Sequence, residues 1–88
     1  MDRIEINAAL SAVMVDVMAL IDSAKECGAT DAAAVACEMA SLASFAVHEA
    51  NADDAALGRA ADRLRWARCA ISALRFAIYH ATRSLEVQ

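Results

Sequence analysis

Cysteine and histidine occur twice with ten residues between them, as Cys37 and His48 and again as Cys69 and His80. Thiolate and imidazole are common zinc ligands, so the repeated pair is a candidate metal motif. On a helix, however, this spacing separates the two side chains by about 16 Å along the axis. One metal ion cannot bridge that distance. We therefore predict no metal site and no cofactor, and we interpret the cysteines as small apolar residues.

Ser41, Ser44 and His48 share one face of a predicted helix, with Ser44 and His48 one turn apart. A serine–histidine pair needs an acid to orient the histidine and donors for an oxyanion, and the sequence supplies neither near this pair. It also contains no glycine-rich phosphate loop and no paired acid site. We therefore expect no enzymatic activity.

The segment 63–83 contains five of the seven arginines. Four of the chain's arginines fall in a narrow sector of one helix and form what we call the arginine strip: Arg65, Arg68, Arg75 and Arg83. Such a strip can contact nucleic-acid phosphates, with Trp66 or Tyr79 stacking on bases. It can equally form ion pairs with neighbouring helices, and we favour this second interpretation.

The charge distribution is the reason for that preference. Residues 1–58 carry ten acids and two bases, a charge of −8, whereas residues 59–88 carry two acids and six bases, a charge of +4. The two halves can therefore neutralise each other within one fold. Short loops make neighbouring helices antiparallel, so residues at the same level along the bundle can be matched from their numbers. This level matching predicts ion pairs of Arg59 with Glu49, of Arg65 and Arg68 with Asp16 and Glu38, and of Arg75 with Asp22 or Glu26.

The 88 residues are 60% hydrophobic, with no proline and two glycines, a composition typical of long uninterrupted helices. We predict an all-α, three-helix antiparallel bundle comprising one domain, 1–88, with helices at about 3–26, 31–50 and 55–86. Gly28 is expected to end the first helix in a left-handed conformation. Thr30 or Asp31 is expected to cap the second, and Asp53 or Asp54 the third.

The third helix carries two apolar stripes that each advance by three and four residues. The first stripe is Leu64, Ala67, Ile71, Leu74, Ile78, Ala81 and Leu85. The second stripe is Trp66, Cys69, Ala73, Phe76 and His80. At 100° per residue their centres lie roughly 150° apart, so the helix is expected to be buried on two sides.

The third helix is also longer than its partners. Level matching leaves residues 75–86 without a neighbour in their own chain, a predicted overhang of about 18 Å. We therefore predict a homodimer, or a tight complex with another protein, in which the long C-terminal helix mediates association. The predicted interface residues are Trp66, Cys69, Ala73, Phe76, Ile78, Tyr79, His80 and Leu85.

The sequence favours a cytoplasmic location but does not identify a partner. Charge-free stretches of about ten residues are shorter than the ~20 needed to span a bilayer, so we expect no membrane association and no signal peptide. An odd set of three cysteines favours the reducing cytoplasm. We predict a small non-catalytic interaction module, a homodimeric regulator or inhibitor of bacterial or phage origin that binds a larger protein. The alternative is a nucleic-acid-binding accessory protein that uses the arginine strip.

Overall fold

A computed structural model describes the backbone of residues 1–87 and the side chains of residues 1–86. It contains three α-helices: α1 over Arg3–Cys27, α2 over Thr30–Ala52 and α3 over Leu57–Val87, with a short 3₁₀ turn at Asp54–Ala56 before α3. Each helix packs against the other two, and no strand occurs among residues 1–87. The all-α bundle is therefore confirmed, and each helix begins and ends within two residues of its expected bounds.

Both ends of α1 are closed by local hydrogen bonds. At the start, the Glu5 backbone N–H donates to Asp2 Oδ1 at 2.8 Å, and the Asp2 backbone N–H donates to Glu5 Oε1 at 3.3 Å. This reciprocal capping box satisfies two backbone donors that the helix itself cannot satisfy. At the other end Gly28 has a φ of 83°, the left-handed conformation predicted for it.

The predicted cap of α2 is wrong. The capping position is Ala29, and no side chain caps the helix there. The reason is the tightness of the turn: the Ala29 N–H still bonds the Ala24 carbonyl of α1, while the Ala29 carbonyl already accepts the first bond of α2 from Ala33. Before α3, Asp53 does cap as expected, since its Oδ1 accepts from the Ala55 N–H at 3.0 Å.

The core consists mainly of alanine. The buried apolar side chains of the described residues comprise eleven alanines and seven larger residues. In α2 the buried positions include Ala36, Ala40 and Ala43, whereas Val35 is 50% exposed. The sequence pattern predicts an inner α2 stripe of Val35, Met39, Leu42 and Ala46. Its first member is wrong, because Val35 is exposed, whereas Met39 and Leu42 are half-buried and Ala46 is buried. Alanine has the smaller side chain, and it lets both neighbouring helices approach α2 closely.

This packing gives an elongated molecule of 52 × 17 × 15 Å. Its accessible surface is 5556 Å². A compact monomer of 9.3 kDa is expected to expose about 5,000 Å² by the usual scaling of surface with mass. The accessible surface beyond this expectation is a large part of the ~800 Å² that one protein buries in an interface of standard size.

Two of the helices, α1 and α2, are long and apolar enough by length and composition to cross a membrane. This differs from the expectation drawn from charge-free stretches, because a few charges within a long apolar helix do not exclude it from such a test. Each helix nevertheless carries an acid within its length, Asp16 in α1 and Glu38 in α2.

The alanine contacts predict how α2 responds to larger side chains. Ala43→Leu enlarges a fully buried position and should lower the free energy of unfolding by about 1–3 kcal/mol through overpacking. Ala34→Leu is the matched control, since it makes the same change at an exposed position of the same helix and should shift stability by less than about 0.5 kcal/mol. Urea denaturation at one protein concentration measures both. Equal effects of the two substitutions would contradict the alanine-packed core.

Candidate interaction surface

The second apolar stripe of α3 lies on the solvent side of the bundle, and we call it the α3 outer strip: Trp66, Cys69, Ala73, Phe76 and His80. The opposite side of α3 is buried, with Leu64, Ile71 and Leu74 each at most 2% exposed. Within the strip Trp66 is 53% exposed and Phe76 is 66% exposed. The first stripe therefore builds the core of the chain, and the second remains uncovered by it.

Neighbouring side chains on α3 hold the aromatic residues of the outer strip. The Arg63 guanidinium lies 5.2 Å from the centroid of the Trp66 ring, within cation–π range. The rings of Phe76 and His80 lie 4.3 Å apart, and Tyr79 meets His80 edge-on at 5.6 Å. Since each of these contacts joins residues three or four positions apart, or adjacent ones, they preorder the surface without burying it.

The predicted overhang of 75–86 is too long at its beginning. Ile78 is half-buried and packs against the buried cluster formed by Ala24, Ala33, Ala36 and Leu74. Arg75 reaches back to Asp16 of α1 at 3.5 Å. Residues 75–78 therefore have partners in their own chain, because the α1–α2 turn reaches further along α3 than level matching indicated. Beyond them, Tyr79 and Leu85 are 55% and 58% exposed.

The arginine strip is engaged only in part. Arg75 pairs with Asp16 and not with the expected Asp22 or Glu26, since a long side chain on α3 points back toward the start of its helix. Arg65 pairs within α3, with Asp62 at 3.3 Å. Among residues 1–86, Arg68 lies within 4 Å of no carboxylate.

Arg59 and Arg83 also contact neighbouring side chains. The predicted pair of Arg59 with Glu49 is present at 2.6 Å and links α3 to α2. Arg83 donates to the Tyr79 hydroxyl at 2.9 Å and has its guanidinium 5.6 Å from the same ring. Because these groups are largely exposed, each ion pair contributes no more than about 1 kcal/mol to stability.

A groove of about 460 Å³ runs between α1 and the last turns of α3. Its lining includes the apolar side chains of Leu20 and Ile78 and the guanidinium groups of Arg75 and Arg83. It is open to solvent and shallow, unlike the enclosed pockets that bury a small molecule.

The cysteine and histidine residues are not gathered into a metal site. Within the described part of the chain, no group of three or more histidine, cysteine or acidic side chains is placed to hold a metal ion. Cys37 is half-buried and Cys69 is exposed, and all three cysteines are free thiols. The repeated spacing therefore gathers no set of ligands.

The serine and histidine face of α2 borders a shallow depression of about 340 Å³ beside α1. Ser44 and His48 line it together with Phe45 and Met14. Among the side chains of residues 1–86, no hydrogen bond joins Ser44 to His48 and no acid lies in the lining. Ser44 and His48 therefore line the same depression without a hydrogen bond between them.

A further exposed apolar surface was missed from the sequence. It lies on the solvent side of α1 and consists of Ile4, Ala8, Ser11, Val15 and Met18, which we call the α1 outer strip. Ile4 is 82% exposed, Val15 65% and Met18 70%. The signal was present in the spacings of four and three residues from Ile4 to Met18, of which the middle part, between Glu5 and Asp16, carries no charge.

The chain matches no family model, and it shows no significant similarity to any curated protein or solved structure. The two outer strips are therefore the features on which a functional proposal can rest.

The outer position of Cys69 makes its reactivity a probe of this surface. At low protein concentration the exposed Cys69 should be alkylated faster than the half-buried Cys27 and Cys37. If the α3 outer strip is covered by association, the Cys69 rate alone should fall as protein concentration rises. Alkylation by iodoacetamide, read by peptide mass spectrometry, measures the three rates. A Cys69 rate independent of concentration from about 1 to 200 µM would indicate an uncovered strip.

Proposed function

We propose that this protein is a small non-catalytic interaction module that acts in the cytoplasm as a homodimer and binds a larger protein. The α3 outer strip forms the dimer contact in this proposal, with α3 lying between the two bundles. The role is that of a regulator or inhibitor, since such a module acts by covering a surface of its partner. Three free cysteines are consistent with a reducing compartment.

The observation that carries the proposal is the distribution of large side chains. All four aromatic residues are more than half exposed: Phe45, Trp66, Phe76 and Tyr79. The core meanwhile holds eleven alanines. Aromatic side chains dominate the energetics of cores and interfaces, and contiguous exposed apolar surfaces on small proteins mark sites of association. Two of the four aromatics lie in the α3 outer strip.

The α1 outer strip supports the second half of the proposal. It lies on a different helix from the α3 outer strip, so a dimer formed through α3 leaves it accessible. Its large residues Ile4, Val15 and Met18 are unbranched or β-branched apolar side chains without a charge among them. A surface of this kind suits a helix or apolar groove on a larger protein.

The dimer contact is tested by placing a charge within it. Phe76→Glu should raise the dissociation constant of the dimer by at least about 30-fold, since loss of a central aromatic contact costs about 2 kcal/mol or more. Phe45→Glu is the matched control, because Phe45 is exposed to a similar degree, at 71%, but lies on α2. Analytical ultracentrifugation gives both constants, and circular dichroism checks that helix content is unchanged.

Two results would contradict the proposed contact. One is a Phe76→Glu protein that dimerises as tightly as the unmodified chain. The other is a Phe45→Glu protein that loses dimerisation to the same extent, which would move the contact to α2.

A second candidate function is nucleic-acid binding through the arginine strip. The observation that favours it is Arg68, which has no carboxylate partner among the described side chains, beside Arg65 and Arg75 on the same sector of α3. The support is weaker because two of these three arginines are already paired with acids. The overall charge of −4 also opposes approach to a polyanion.

The two functions differ in their response to salt and to charge reversal. We expect no nucleic-acid binding at 150 mM salt and no effect of Arg68→Glu on dimerisation. If the second function holds, the unmodified chain should shift labelled DNA or RNA at low salt, and Arg68→Glu should weaken that shift at least about fivefold while leaving the fold intact. Electrophoretic mobility assays at 50 and 150 mM salt distinguish the outcomes, with Lys25→Glu on α1 as the control reversal.

A further inference from the structure

The positions of the α3 outer strip, taken together with Asp62, are symmetric about the level of residue 71. Three pairs of exposed residues lie at equal distances on either side of that level: Cys69 with Ala73, Trp66 with Phe76, and Asp62 with His80. At 100° per residue the members of each pair also lie symmetrically about the centre of the outer strip. A helix face with this property presents complementary positions to a copy of itself that runs in the opposite direction.

We propose that two copies of this chain pair through α3 as an antiparallel two-helix contact, with its dyad at the level of Ile71. This inference rests on the dimer proposed above and specifies its orientation and register. Each layer then joins the two members of one symmetric pair, one from each copy. The contact extends from Asp62 to His80, about 27 Å of helix.

The residue sizes favour this register. The two central layers each join Cys69 to Ala73 of the other copy, and small residues there allow the helix axes to approach closely. The next layers join Trp66 to Phe76 of the other copy. These rings are already oriented, since Arg63 lies over Trp66 and His80 lies 4.3 Å from Phe76. Two bulky aromatic layers thus flank a narrow centre.

The outermost layers are complementary in charge. Asp62 meets His80 of the other copy, where the imidazole N–H donates to the carboxylate in either protonation state of the ring. Asp62 is 62% exposed beside Arg65, so it retains the capacity to accept this bond. On the flanks, the level of Arg65 corresponds to that of Ala77 in the other copy, beside Tyr79. Arg68 comes within one residue of the level of Arg75 in the other copy, but both lie more than about 100° around the helix from the centre of the outer strip, away from the contact.

A parallel pairing in register lacks this complementarity. It sets Asp62 against Asp62 and Trp66 against Trp66, so that like charges and two bulky rings coincide. Like charges directly opposed across an interface are destabilising. It also places Cys69 directly opposite Cys69, which makes the two orientations distinguishable by disulfide formation.

The experiment uses two single-thiol chains in a Cys27→Ser, Cys37→Ser background. The first keeps Cys69, and the second carries C69A and A73C, so that its only thiol lies at position 73. The antiparallel register brings position 69 of one copy to the level of position 73 of the other. Two identical thiols are instead offset by about 6 Å along the axis, which puts their Cα atoms beyond the ~7 Å limit for a disulfide.

The two chains are mixed in equal amounts, one of them labelled with ¹⁵N, exchanged under reducing conditions and then oxidised with dilute copper phenanthroline. We expect linked dimers that are predominantly mixed, light with heavy, well above the statistical half, and little linkage of either chain alone. Self-linked dimers in excess, a statistical mixture, or a dimer that fails to link would each overturn the antiparallel register.

Sedimentation equilibrium of the same reduced chains distinguishes a wrong antiparallel register from the absence of a homodimer. A dimer that gives self-linked products retains the proposed homodimer and refutes only its orientation. A monomer at all concentrations refutes both.

Discussion

The burial of alanine where the three helices meet is the constraint on which the rest of the structure depends. Where Ala36, Ala43 and Ala67 face their neighbours, the helix axes can lie near the lower limit of packing distances. A core built this way is well packed but buries little apolar area for each residue. Many of the large apolar side chains are consequently left on the outside, on all three helices. The proposed association with another chain would cover them.

Where spacing was strict, the sequence was sufficient to predict the fold. The stripe of Leu64, Ile71 and Leu74 advances by threes and fours without interruption, and all three residues are buried. Gly28 has the positive φ that only a residue without a β-carbon adopts readily. In α2 the same reasoning failed in part, because hydrophobicity ranks Val35 above Ala36 whereas close helix packing selects the smaller residue.

The candidate interaction surface could also be predicted in part from the sequence. The phase of Trp66 and Phe76 relative to the buried stripe placed them on the far side of α3, where they are exposed. The partner of Arg75 was not predictable from levels alone, since the direction of the side chain along its helix decides which acid it reaches. The α1 outer strip was not predicted, because methionine residues such as Met18 occur both in cores and on surfaces. Only the orientation of α1 within the bundle reveals that it is exposed.

We propose that the exposed positions of the large side chains drive association, and that α3 serves both the core of one chain and the contact between two. Sedimentation equilibrium of the unmodified chain from about 1 to 200 µM tests this claim most directly. The account predicts a mass that rises with concentration toward twice the 9.3 kDa of the single chain. A constant mass of one chain across the whole range, with helix content intact, would contradict it.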